Sequence, residues 1–217
     1  MTVLVTGFGA FGEDAENPSG RIAEALDETM IAGEAVRAVV LPVSTERVAE
    51  LLRTEVTRAA PNLLILLGVA TGRTAPSVER VAINVRDFPI PDVDARQIVD
   101  EPVLPTGPAA YLSQLPIKAI VAGWHAGGLP GAVSNTAGTY LCNQVFYLAR
   151  HLTAGTGCRT GFIHVPTSPE SIAARGVTET PTPTMDLATM TRAIRSAVET
   201  SVHHRGADIE LAAGALH

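Results

Sequence analysis

A chain of 217 residues with 46% hydrophobic residues, 18% charged residues and a net charge of −6 is long enough for one domain with a sizeable core. The mild acidity argues against a nucleic-acid surface, and two cysteines make no disulfide framework and sit in no metal-ligand spacing, which favours a reducing compartment. Residues 2–6 are an apolar run without a basic flank, too short for a signal peptide, and no stretch approaches the roughly 18 apolar residues of a membrane span, so a soluble, cytoplasmic protein is expected.

Along the chain, residues 2–6 read as a strand that stops at Gly7, and Ile22, Ala23, Ala25 and Leu26 recur at helical spacing over 19–26. Residues 34–43 return to β-branched side chains. Residues 44–60 form an amphipathic helix with Val48, Leu51, Leu52 and Val56 on one face, and 63–67 are a wholly apolar strand of the kind a parallel sheet buries on both faces. A strand over 77–84 leads to residues 87–108, which are rich in Pro and Asp, lack periodicity and mark a long loop. Ile117, Ile120, Val121 and Trp124 resume helical spacing up to Gly127-Gly128. A strand at 131–135, a helix to about Leu152, a strand from Arg159 and a helix over 184–202 complete the series. Strands alternate with helices, so the class is α/β with a mostly parallel sheet.

Chemistry gathers in three segments. Thr136-Ala137-Gly138-Thr139-Tyr140-Leu141-Cys142-Asn143 sets a cysteine just inside a helix start, where free N–H groups favour an anion. Gly161-Phe162-Ile163-His164-Val165-Pro166 is an apolar strand that delivers one histidine at its end, and cysteine plus histidine suggests a nucleophile and its base. Ser77-Val78-Glu79-Arg80-Val81-Ala82-Ile83-Asn84 offers the carboxylate of Glu79 to orient that ring. A helix N-terminus and an imidazolium bring a thiol into the range of roughly 3.5 to 7.5, so a resting thiolate is expected. N–H groups around Tyr140 to Cys142 would stabilise an oxyanion. In an open α/β sheet, ligands sit beyond the carboxyl ends of the strands, where the Gly7 loop, the Gly68 loop, the Cys142 turn and His164 all fall. Glu79 lies nearer a strand start, so it joins them only if its strand runs antiparallel or is bent. Taken alone, Cys142 also reads as a small buried hydrophobe, His164 as a satisfied strand-end ring and Glu79 as a salt-bridged surface carboxylate.

These segments, in this order, resemble the pyroglutamyl peptidase I (pyrrolidone-carboxylate peptidase) family of cysteine peptidases. The resemblance begins at Val5-Thr6-Gly7-Phe8-Gly9-Ala10-Phe11-Gly12 with Asn17-Pro18-Ser19. It continues through the Glu79 segment and Val133-Ser134-Asn135-Thr136-Ala137-Gly138, and closes with the His164 segment. It implies one peptidase domain over 1–217, folded as a three-layer α/β/α sandwich with a mostly parallel, mixed central sheet of the phosphorylase/hydrolase-like kind. It also implies an omega-type aminopeptidase that removes N-terminal pyroglutamate through an acyl-thioester on Cys142, with His164 and Glu79, no metal or organic cofactor, and a homotetramer. Phe8, Phe11, Ile90, Tyr140 and Leu141 are the implied lining of the pyrrolidone-ring pocket. The sequence departs from the family pattern at Pro89, where many members carry arginine, at Val93, where asparagine is common, at Ser44 and Thr45, which replace a more apolar stretch, and at Val69, where several relatives have glutamine.

Other features have plainer readings. Cys158 has no base motif near it and reads as a bystander. His125, His151, His203, His204 and His217 lack metal-ligand spacing and read as solvated surface. Asp92, Asp94, Asp100 and Glu101 lack the glycine and closing glutamate of a calcium loop and read as a solvated acidic loop. Gly7-x-Gly9-x-x-Gly12 formally matches a dinucleotide fingerprint and admits a nicotinamide-dependent oxidoreductase. Against it, Glu13, Asp14 and Glu16 separate the glycines from the next helix and would repel a pyrophosphate. The altered loop at Pro89 admits another alternative, a catalytically silent relative that binds pyroglutamyl peptides.

Overall fold

In the computed structural model, which describes residues 2–12, 16–174 and 181–214, a mixed seven-stranded sheet carries helices on both faces. Glu13, Asp14 and His217, singled out above, lie outside the described residues. The strands are β1 (Thr2–Phe8), β2 (Met30–Ile31), β3 (Glu34–Leu41), β4 (Leu63–Val69), β5 (Ser77–Glu79), β8 (Ala132–Ser134) and β9 (Arg159–Val165). Their order is β2-β3-β1-β4-β9-β5-β8. Strands β3, β1, β4 and β9 are mutually parallel; β2 is antiparallel to β3, and β5 is antiparallel to β9 but parallel to β8. A separate ribbon pairs β6 (Val81–Ile83) with β7 (Ala110–Leu112).

The period of two in the strands divides the core in two. In β4, Leu63, Ile65 and Leu67 face one layer, which is filled by α1 (Pro18–Leu26), α3 (Ile117–Ala126) and α6 (Leu187–His203). Leu64 and Leu66 face the other, filled by α2 (Thr45–Ala59) and α4 (Leu141–Leu152). The same alternation in β9 sends Ile163 and Val165 to the first layer and Phe162 to the second. His164, two residues on from Phe162, faces the α4 side with it, and their ring centroids are 4.7 Å apart.

Helix ends follow local chemistry. Asn17 caps α1 through the Ser19 N–H with Pro18 in the first turn, Ser44 caps α2 through the Arg47 N–H, and Asp186 caps α6 through the Thr189 N–H. Helix α3 has no side-chain cap of its own; Asp208, from the segment after α6, accepts from the Lys118 and Ala119 N–H groups instead.

Two expectations change, and three short elements are added. The 77–84 strand is two strands, since β5 leaves the main sheet after Glu79 and β6 joins the ribbon. The short strands β2 and β7 and the helix α5 (Pro169–Ala174) were not read from sequence; elements of two to six residues are too short to display a period. The 87–108 loop is not simply a solvated acidic loop. Asp92 is buried, and its carboxylate accepts from the Thr45, Asp94 and Arg96 N–H groups, while Asp94 accepts from Ser44 Oγ and pairs with Arg47. Ser44 and Thr45, departures from the family pattern, thus anchor this loop to the start of α2. Among the described residues no helix is long and apolar enough to cross a membrane.

Candidate active site

The β4–β9 ladder pairs Gly68 with His164, at the carboxyl end of both strands. A Cβ on Gly68 would lie 2.8 Å from Cys142 Sγ and 2.8 Å from the Phe162 ring. The absent side chain is therefore the space the thiol occupies, on the same sheet face as Phe162 and His164. Cys142 arrives there as the second residue of α4, whose N-cap, Tyr140, supplies no side-chain hydrogen bond. The first intrahelical bond runs from the Gln144 N–H to the Tyr140 carbonyl, so the earlier N–H groups are not consumed by the helix. Asn143 holds the helix start in place: its side chain donates to the Ile83 and Val85 carbonyls and accepts from the Ile83 N–H.

The antiparallel β5 solves the placement of Glu79. Ser77 is the direct ladder partner of His164, and Glu79, two residues on, emerges from the same face as its diagonal neighbour. Glu79 Oε1 lies 2.7 Å from His164 Nδ1, with the carboxylate fully buried and the ring nearly so. Because a carboxylate only accepts, Nδ1 carries the proton and Nε2 is left as the acceptor.

Arg73, not singled out in the sequence, completes the cluster. Its Nη1 donates to the same Oε1 at 2.7 Å, and its Nη2 donates to Ser134 Oγ at 3.2 Å and to the Thr136 carbonyl at 3.3 Å. It sits in the turn after β4, where Gly72 has φ +92° and the Arg73 N–H donates back to the Ala70 carbonyl. The available signal was Gly72-Arg73 a few residues before Glu79, but a lone arginine in a loop shows no period and no motif.

A cavity of about 390 Å³ opens beside the thiol, lined by Phe8, Phe11, Asn17, Val43, Val69, Thr71, Ile90, Tyr140, Leu141 and Cys142. All the residues implied by the resemblance for the ring pocket, Phe8, Phe11, Ile90, Tyr140 and Leu141, line it. Tyr140 anchors this wall: it stacks edge-on against Phe88 at 4.7 Å, lies 6.0 Å from Phe11, and donates its hydroxyl to the Pro91 carbonyl. Of the departures from the family pattern, Val69 lines the cavity, whereas Pro89 and Val93 are exposed on the loop outside it.

The electrostatics run against one expectation. Burial pushes the Cys142 thiol up to about 12, the Glu79 carboxylate adds to the rise, and Arg73 and the helix N–H oppose it. Burial holds His164 below its ordinary 6.5, against the hydrogen bond and charge of Glu79, with Arg73 also lowering it. Both shifts run toward the neutral forms and against the expected resting thiolate, because desolvation outweighs the helix N-terminus and Arg73 at Cys142.

The remaining readings separate as follows. Cys158 is buried in the core against Thr160, and burial raises its thiol as well. His125, His151 and His204 bond to the Gly131 carbonyl, the Tyr111 hydroxyl and the Ala207 carbonyl respectively. Among the described residues, no three His, Cys, Asp or Glu side chains are placed to share a metal ion. The glycine loop does not open a helix, since α1 begins only at Pro18, capped by Asn17. Gly7 has a packing role instead: a Cβ there would lie 2.0 Å from the Ser19 carbonyl oxygen, so its absence lets α1 lie against β1.

Fold and site together define an α/β protein with a cysteine lining a largely apolar cavity, packed over the ladder partner of a histidine that is hydrogen-bonded to a buried glutamate, at the carboxyl edge of its parallel strands. The chain belongs to the pyroglutamyl peptidase family, whose model matches residues 1–204. It is 42% identical over 217 residues to a pyrrolidone-carboxylate peptidase of Escherichia fergusonii, covering 100% of this chain and 99% of that one. It is 46% identical over 174 residues to that of Pyrococcus furiosus, covering 79% and 84%. Among solved structures, the pyrrolidone carboxyl peptidase of Thermococcus litoralis superposes with a TM-score of 0.93 at 36% identity, covering 97% of this chain and 99% of that one. A mutant of the Pyrococcus furiosus enzyme gives 0.91 at 40%, covering 94% and 99%. These findings lend no support to the nicotinamide reading or to a silent binder.

Proposed function

We propose that the protein is a cysteine-type pyroglutamyl peptidase that hydrolyses the amide bond following an N-terminal pyroglutamyl residue. The observation that carries this reading is the position of Cys142, which lines the aromatic cavity while packing over Gly68, the ladder partner of His164.

A pyroglutamyl residue has a flat lactam ring and no ammonium group, so a pocket of Phe8, Phe11, Ile90, Tyr140 and Leu141 suits it better than an acidic anchor. The lactam N–H and C=O need partners, because a buried polar group left unpaired costs about 1–3 kcal/mol. That requirement discriminates against proline, which lacks the ring carbonyl.

In the proposed cycle, His164 Nε2 takes the thiol proton as Sγ attacks the scissile carbonyl. The imidazolium formed is stabilised by Glu79 through Nδ1–H, and the oxyanion is held by N–H groups at the start of α4. His164 then protonates the leaving amine, giving an acyl-thioester and a shortened peptide. Water, deprotonated by the same imidazole, attacks the thioester to release pyroglutamate and regenerate the thiol. Each step uses side chains, backbone and water alone.

The same reading takes residues 1–217 as one peptidase domain in the cytoplasm, working as a homotetramer by family resemblance, which light scattering on the purified protein tests. The activity test is amine release from pyroglutamyl-aminomethylcoumarin beside its prolyl analogue under reducing conditions. Pyroglutamyl-selective, iodoacetamide-sensitive release is expected; a folded, reduced sample that releases nothing rejects the proposal.

A further inference from the structure

Arg73 is a cation between two parts of the site that the chain supplies separately. One arm of its guanidinium donates to Glu79 Oε1, the oxygen that accepts His164 Nδ1–H. The other donates to Ser134 Oγ and the Thr136 carbonyl, at the start of the loop that leads to Cys142. Ser134 is committed to that loop as well, since its hydroxyl also donates to the Thr136 carbonyl. Glu79 Oε2 has no hydrogen-bond partner among the described residues, so the orientation of this fully buried carboxylate depends on the two bonds to Oε1. A buried carboxylate without an opposite charge is costly, and Arg73 is the guanidinium that meets it. The groups acting on His164 are Glu79 from β5 and Arg73 from the turn after β4, with Cys142 of α4 packed beside its ladder partner.

We infer that Arg73 is a positioning residue of this site: it fixes the Glu79 carboxylate against the His164 ring, tethers it to the Cys142 loop, and holds a positive charge beside the Glu79–His164 pair. The inference rests on the peptidase reading for its kinetic consequences, though not for its electrostatic ones. A planar fork performs the tethering and a positive charge acts on the pair. Lysine preserves only the second, because an ammonium is a point charge without the fork.

The test compares the full chain with Arg73→Met and Arg73→Lys, using pyroglutamyl-aminomethylcoumarin kinetics across pH, thermal melting and proton NMR titration of the His164 ring, assigned with His164→Gln. For Arg73→Met, kcat is expected to fall about 10-fold or more with KM little changed, as for a misplaced rather than missing reactive group. The acid limb of kcat/KM and the NMR midpoint of His164 both move to higher pH, since a cation that lowers the ring's proton affinity is gone. For Arg73→Lys, the midpoint stays near that of the parent chain while kcat falls, because the bonds to Ser134 and Thr136 are lost. If Arg73→Met does not melt cooperatively, Arg73→Lys carries the test: an unchanged kcat overturns the tethering. An unchanged kcat and His164 midpoint in a folded Arg73→Met variant overturn the whole inference. The NMR titration needs no turnover, so an inactive parent chain would reject the peptidase reading while leaving the electrostatic role of Arg73 measurable.

Discussion

Ser77 faces His164 across the β5–β9 ladder, and that single register places Glu79 Oε1 at 2.7 Å from His164 Nδ1. Had β5 been parallel to β9, as the strand–helix alternation suggests, the carboxylate would enter from the opposite end of the sheet. The reversal turns a residue at the end of its strand into a neighbour of a residue at the end of another. Replacing Glu79 with Gln keeps the volume but lets the amide donate, which permits the wrong ring tautomer. The expected outcome is a loss in kcat of two orders of magnitude or more, roughly as for amide substitution of other orienting carboxylates. The check is steady-state kinetics on a variant whose melting shows it folded.

The two thiols separate cleanly. Cys142→Ala is expected to abolish turnover with the fold retained, because the side chain is small and lies at a cavity wall. Cys158→Ser is expected to leave kcat/KM within about a factor of two, since Thr160 Oγ1, 3.6 Å from the sulfur, is a ready partner for the new hydroxyl. Parallel assays of both variants decide the matter, and equal losses would remove the assignment of the nucleophile.

Gly68→Ala tests the packing of the thiol. The added methyl would lie 2.8 Å from Sγ and from the Phe162 ring. Phe162 is wholly buried, so it yields little room. Stability is expected to fall by about 1–3 kcal/mol, as for overpacking generally, and activity to fall further than stability explains, because Sγ is pushed from the attack position. Denaturant unfolding alongside kinetics separates these effects.

The electrostatics give opposite pH signs for Cys142 and His164. The folded protein holds the Cys142 proton above pH 9, where the unfolded chain releases it, and up to about 12. The stability this group contributes is therefore complete below pH 9 and is lost as pH rises through that window, by up to about 1.4 kcal/mol per unit. Cys142→Ala should lack this component, so its unfolding free energy should decline less steeply above pH 9. His164, held below 6.5, contributes stability that is complete above 6.5 and is lost as pH falls through its lowered value. The acid limb of kcat/KM lies on the same side. Identical alkaline slopes for parent and Cys142→Ala, from denaturant melts at several pH values, would refute the upward shift of the thiol.

Asp92 links the 87–108 loop to α2 by accepting the Thr45 N–H, and it folds the loop on itself by accepting the Asp94 and Arg96 N–H groups. Asp92→Ala leaves those donors unpaired, so a loss of about 1–3 kcal/mol is expected. The wall formed by Ile90 and Tyr140 should loosen with it, since Tyr140 donates to the Pro91 carbonyl next to Asp92. A raised KM for pyroglutamyl-aminomethylcoumarin would register that change; an unaltered KM and melting point would show the latch to be idle.

What could be read from the residues divides along physical lines. The continuous apolar run of 63–67 and the helical spacing of Val48, Leu51, Leu52 and Val56 are local signals that burial dictates, and β4 and α2 appear where those signals stand. Cys142 and His164 were visible because each ends or begins a regular element. Glu79 could be placed only by allowing a reversed or bent strand, since direction is set by long-range pairing that no local pattern encodes. Arg73 and Asp92 were missed in their roles for the same reason. Each acts through partners distant in sequence, Ser134 and Glu79 for the one and Thr45 for the other. The upward shift at Cys142 was not legible either, because helix position is local, whereas the desolvation that opposes a thiolate is a property of the assembled site.

The most direct test of the central claim is mass spectrometric mapping of the adduct left by a pyroglutamyl chloromethyl ketone, with and without excess free pyroglutamate. A single adduct on Cys142, suppressed by pyroglutamate and absent from Cys142→Ala, is the expected result. Modification of Cys158 instead, or turnover that persists without any adduct on Cys142, would contradict the assignment of nucleophile and pocket together.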